Sequence, residues 1–240
     1  MNSRKLSVLV AACVMMVAAV AANAQQVIKQ VNASSAAEVM KRMPTNAVYV
    51  YDDFTPGTVY FKDGTRARAN LNYCFLLDEM HFRGNDGKVE ALANVENVTL
   101  VKIGDDAYFY AGMLSFVQMV VYDDDVRLCY KRHTSLATDT DAIGAYGTHS
   151  ETSSASRVQS NFYRPGITDL NNIRDLKYTV KDEYVLLAGG KMITIRSAKA
   201  YEKAFPKLKK DIKEYVSRNK FDAKNPDDVV ALMEYCISKK

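Results

Sequence analysis

Tryptophan is absent, and only three histidines, His81, His133 and His149, and four cysteines occur in the 240 residues. Lack of tryptophan removes the usual stacking platform for neutral sugars, and most of the fifteen tyrosines fit strand positions in or near a core. An excess of one charge is also missing: 32 bases against 28 acids leave +4, no global drive toward nucleic acid or an anionic membrane. After residue 24 the longest apolar run, 114–122, is interrupted by Gln118 and is too short to span a bilayer. Nucleophile elbows, H-E-x-x-H, C-x-x-C and paired S-x-x-K motifs are absent. Gly189-Gly190-Lys191 lacks the earlier glycine of a phosphate loop. The pattern therefore nominates no catalytic residue, metal or cofactor. With 48% apolar and 25% charged residues, the composition is that of an ordinary globular chain.

The first 24 residues read differently from the rest. Arg4 and Lys5 precede an almost wholly apolar stretch, 6–22, and Ala22-Asn23-Ala24 is a small-x-small site. This predicts a cleaved signal peptide rather than an anchor, because the run is shorter than a spanning helix and ends in the cleavage site. Cys13 lies too early in the run for a lipid-attachment site. A mature chain of 216 residues with a net charge of +2 follows, exported to the periplasm or the outer membrane. Three cysteines remain in it, Cys74, Cys129 and Cys236. At most one bridge is possible, and Cys74 with Cys129 is the natural pair if the two share a sheet face.

Residues 25–46 read as a leader or short helix, with Ser35 and Glu38 spaced as a capping box. From residue 47 the period becomes two. In 66–75, Ala67, Ala69, Leu71, Tyr73 and Phe75 alternate with Arg66, Arg68, Asn70, Asn72 and Cys74, which predicts a strand with the first set in a core and the second toward solvent or a partner. Asp63-Gly64, Asn85-Asp86-Gly87, Gly104-Asp105-Asp106, Asp123-Asp124-Asp125 and Gly189-Gly190 punctuate short apolar runs as hairpin turns. Residues 134–160, eleven of them Ser or Thr, read as a flexible loop.

After Arg196 the spacing is helical: Tyr201, Phe205, Leu208, Ile212, Tyr215 and Val216 form one face, and Val229, Leu232, Met233 and Cys236 another. Asn225-Pro226-Asp227-Asp228 is a helix start. The expectation is an α+β, mostly β fold: an antiparallel sheet or sandwich of hairpins over 47–196, with C-terminal helices over 197–240 packed on it. Terminal helices and repeated tight acidic turns argue against an outer-membrane barrel.

Three clusters merit a chemical reading. Asp78-Glu79-x-His81 groups three potential ligands, with no second histidine at i+2 or i+4. Asp139-Thr140-Asp141 with Gly144 imitates a calcium loop, but Ile143 stands at the fifth position and Ser150 at the twelfth, where a bidentate Glu is needed. Asp123-Asp124-Asp125 reads as a solvated hairpin tip. Residues 191–220 carry a local charge of +7, and Lys207, Lys209, Lys210 and Lys213 offer a peripheral contact to lipid phosphates or an acidic partner.

Gly57-Thr58-Val59-Tyr60-Phe61-Lys62-Asp63-Gly64, then Leu71-Asn72-Tyr73, Asp78-Glu79-Met80 and Phe82 make the chain resemble exported, uncharacterised β-rich proteins of Gram-negative envelopes. The resemblance implies export and a strand-rich build, and assigns no catalytic residue. Together these features predict a non-enzymatic envelope protein that binds a protein partner or ligand through its sheet face or long loop. The alternatives are a hydrolase assembled from Asp78, Glu79, His81 or a cysteine, and a structural or lipid-contacting role for the basic helices.

Overall fold

A computed structural model describes residues 26–29, 36–112, 116–139, 156–157 and 175–240. The signal-like segment, Cys13, Ser35, His149 and most of the calcium-like and Ser/Thr-rich stretches lie outside these residues. The fold is α+β and mostly β, an open antiparallel sheet with a helical C-terminal region. The described residues form two compact units, one of 26–117 and 131–183, the other of 118–130 and 184–240.

In the larger unit the strands are β1 (Gln26–Lys29), β2 (Thr55–Phe61), β3 (Arg66–Cys74), β4 (Glu79–Arg83), β5 (Val89–Ala91), β6 (Val98–Ile103) and β7 (Asp106–Tyr110), with α1 (Ala36–Arg42). Strand order is β7-β6-β2-β3-β4-β5. Hairpins β2–β3, β4–β5 and β6–β7 close at the turns the sequence marks. At the first, Asp63 accepts from the Thr65 N–H at 2.9 Å while Gly64 supplies a φ of +84°. Val59, Leu71, Tyr73, Met80, Val101, Ile103 and Tyr108 bury the inner face.

Strand β3 departs from simple alternation. Residues 66–70 are exposed or half-buried, Ala67 among the exposed, whereas Leu71, Asn72, Tyr73 and Cys74 are all buried. The cause is a second layer. Residues 47–54 run along the far half of β3, with the Val50 N–H donating to the Tyr73 carbonyl at 3.1 Å and Tyr49 bridging Cys74. A cluster of Val39, Met43, Ala47, Val48, Cys74, Leu76, Leu136, Leu176 and Tyr178 forms there. Asn72 and Cys74 therefore face protein, not solvent.

Strands β8 (Phe116–Val121), β9 (Val126–Asp139) and β11 (Asp175–Ala188) contribute residues to both units; β10 (Ser156–Arg157) pairs with β9. Strand β9 continues six residues into the stretch read as a loop. Thr134 and Leu136 are buried, and the Thr134 hydroxyl donates to the Ala47 carbonyl at 2.7 Å, so β-branched and apolar residues there serve a strand.

In the smaller unit, β12 (Lys191–Thr194) pairs with β11, and α2 (Lys199–Ala204), α3 (Lys209–Asn219) and α4 (Pro226–Ser238) follow. Pro206 ends α2 in a 3-10 turn, 206–208. Tyr201, Phe205, Ile212, Val229, Leu232, Met233 and Cys236 share one core with Val126, Leu128 and Leu186. Helix α4 starts as the sequence predicts: the Asn225 side chain accepts from the Asp227 N–H at 3.1 Å, with Pro226 in the first turn.

Candidate functional site

Glu79 and His81, two apart on β4, share a face, and His81 Nε2 lies 2.8 Å from Glu79 Oε2. The other ring nitrogen, Nδ1, lies 3.0 Å from the Tyr49 hydroxyl. Burial first, then the neighbouring Cys74 and Glu79, push the Tyr49 hydroxyl up to about 12, so it stays protonated. With His81 only 6% exposed and both nitrogens engaged, the chain Tyr49–His81–Glu79 orients the ring and leaves no nitrogen for a ligand.

Asp78 is not a third member of that group. In a left-handed conformation, φ +62°, it accepts from the Tyr73 hydroxyl and from Lys131 Nζ at 2.9 Å. Among the described residues no three metal-ligating side chains converge. Cys74 stands opposite Glu79 in the register, but burial pushes its thiol up to about 12, and a neutral thiol is a poor nucleophile. The bridge anticipated between Cys74 and Cys129 is not formed: both are free and buried, as is Cys236, and each is packed as an apolar side chain.

Other candidates find plainer partners. Asp123 and Asp125 hold the Lys240 ammonium at 2.5 and 2.7 Å, so the acidic hairpin tip pins the chain end. His133 Nδ1 is 3.8 Å from Glu183, beyond hydrogen-bonding distance, and has no partner among the described residues. Lys207, Lys209, Lys210 and Lys213 are exposed on the 3-10 turn and α3.

The feature that sequence reading missed is a concavity of about 810 Å³ on the exposed half of β2, β3 and β4. Gly57, Val59, Ala67, Ala69, Leu71 and Phe82 line it from one parity of the register, Arg68, Asn70 and Arg83 from the other. Arg83 is held by Asp53 at 2.8 Å and lies 4.6 Å over the Phe54 ring. The Phe54 N–H and then Arg83 keep the Asp53 carboxyl below its ordinary range. A signal for this hollow is present in the chain: alanines at 67 and 69, opposed to Val59 and Gly57, are small where larger side chains would fill the layer.

No protein-family model matches the chain, and no characterised protein or solved structure matches it.

Proposed function

We propose that the chain is an exported, non-enzymatic envelope protein that binds an extended ligand or partner segment across the exposed face of β2, β3 and β4. The observation that carries this reading is the concavity over Gly57, Ala67, Ala69 and Phe82, which Arg68, Asn70 and Arg83 also line. Export rests on the basic head, the apolar stretch and the small-x-small site at 22–24, together with the resemblance to exported β-rich envelope proteins. Among the described residues no helix is long and apolar enough to cross a membrane. The exposed Lys207, Lys209, Lys210 and Lys213 support a second contact, peripheral docking on acidic lipid, which vesicle sedimentation tests.

The test is a photo-crosslinking residue at Ala69 in the full-length protein expressed in its native envelope, with the same residue at Lys207 as comparison. A discrete adduct at 69 that disappears when Ala67→Trp fills the hollow is the expected result. An adduct pattern unchanged by Ala67→Trp overturns the assignment of the binding face.

A further inference from the structure

The exposed half of the sheet carries cations in a pattern set by strand register. Lys102 on β6 and Arg68 on β3 both stand opposite Thr58 on β2, and Arg66 stands opposite Tyr60. Directly opposed residues in an antiparallel sheet project to the same side, as do residues two apart on one strand. Arg66, Arg68 and Lys102 therefore share one face, the arginines about 7 Å apart along β3 and Arg68 about 10 Å from Lys102 across β2. All three are exposed, and none makes an ion pair among the described residues. The positions between and beside them are Pro56, Thr58, Tyr60, Asn70, Leu100 and Ala107, none of them acidic. Like charges grouped this closely repel one another and weaken the sheet, an expense relieved when an anion binds between them.

The shape of the patch narrows the ligand. A row of cations on a sheet matches an extended chain with anionic groups at intervals, and two guanidinium forks suit sulfate or carboxylate oxygens in bidentate geometry. Thr58, Tyr60 and Asn70 add hydroxyl and amide groups for neighbouring ring oxygens and hydroxyls. A lipid surface is a poorer match, because docking on a bilayer uses protruding apolar side chains, and Tyr60 and Leu100 are half-buried. Single-stranded nucleic acid favours several stacking rings, and Tyr60 is the one aromatic residue among these positions.

We infer that Arg66, Arg68 and Lys102 form a binding face for a linear polysaccharide bearing sulfate or carboxylate groups. By register these three residues lie on the opposite side of β2 and β3 from Gly57, Ala67 and Ala69, so this face is separate from the hollow and goes beyond the function proposed for it. The test uses the full-length protein purified after export, with dextran sulfate and polygalacturonate as probes, neutral dextran as blank, and vesicles containing phosphatidylglycerol and a single-stranded oligonucleotide as competitors. The expected result is salt-sensitive binding to at least one polyanion and none to dextran. Each of Arg66→Gln, Arg68→Gln and Lys102→Gln weakens it about tenfold, while Lys199→Gln with Lys203→Gln and Lys224→Gln, exposed lysines away from the sheet, leaves it within twofold, no variant melting below the parent. Equal loss in the two sets, no loss in the sheet set, or preference for vesicles or oligonucleotide overturns the inference. If polyanion binding fails while the Ala69 adduct persists, the cation face is wrong and the hollow stands; if the adduct fails while polyanion binding persists, the reverse holds.

Discussion

Asn72 shows what a single buried amide does for this chain. It is 1% exposed; its Oδ1 accepts from the Tyr51 N–H at 3.2 Å and its Nδ2 donates to the Tyr51 carbonyl at 2.8 Å, so it ties residues 47–54 to β3. Asn72→Leu leaves both Tyr51 backbone groups without these partners and is expected to cost about 1–3 kcal/mol in urea unfolding; an unchanged midpoint would show that water replaces the amide at no loss. His133 is the converse case, a half-buried imidazole with a nitrogen lacking a partner. Burial, reinforced by Lys131 and Lys181 against the opposing pull of Glu183, places its pKa below the free value of 6.5. The unfolded chain then takes up the proton more readily than the folded one, so stability is full above about 6.5 and falls as pH drops through that value toward the folded pKa. His133→Gln is expected to lose less stability than the parent between pH 8 and pH 5, measured as urea midpoints. Parallel profiles would assign the acid loss elsewhere.

Strands and turns carry the next level. Gly57 lies where β2 meets β6, and a Cβ there would stand 2.5 Å from the Lys102 carbonyl oxygen and 2.8 Å from Leu71 Cδ1. Backbone cannot move aside as a side chain can, so Gly57→Ala should shift the ladder and destabilise the protein by about 1–3 kcal/mol, with weaker hydrogen-exchange protection in β2 and β6. Thr58→Ala, one residue on, serves as the mild control. The hairpin tip at 123–125 acts with the chain end. Burial raises the Asp123 carboxyl, but the Lys240 ammonium and the Asp125 and Val126 N–H groups outweigh it and leave it below its ordinary value. That contribution is present above about 3.8 and lost as pH falls through the folded pKa. Because Lys240 is about a third exposed, Lys240→Ala should cost no more than about 1 kcal/mol at neutral pH. The penalty should shrink as pH falls below about 3.8, and a pH-independent difference in melting temperature would contradict it.

At the scale of the whole chain, all three cysteines that follow the signal-like segment are free and buried, and burial pushes each thiol up to about 12. Ellman's reagent should therefore find almost no reactive thiol in the folded protein prepared without residues 1–24 and three in guanidinium without reductant. A count of one would reveal a bridge. The hairpins were readable because a tight turn is decided by two or three adjacent residues, as Asp63-Gly64 and Asn225-Pro226 show for a hairpin and a helix start. The apolar faces of the C-terminal helices were readable for the same reason, since a 3.6-residue period is local. The covering of Asn72 and Cys74, the capture of Asp78 by Lys131 and the enclosure of His81 by Tyr49 were not. Each depends on segments from about 20 to about 100 residues apart in the chain, whose approach no local pattern encodes. Small side chains at 57, 67 and 69 show the same division. Local chemistry sets their strand period and the sign of the charges beside them, whereas whether that period faces a filled core or an open hollow depends on where the covering layer stops, and only the packed chain decides that.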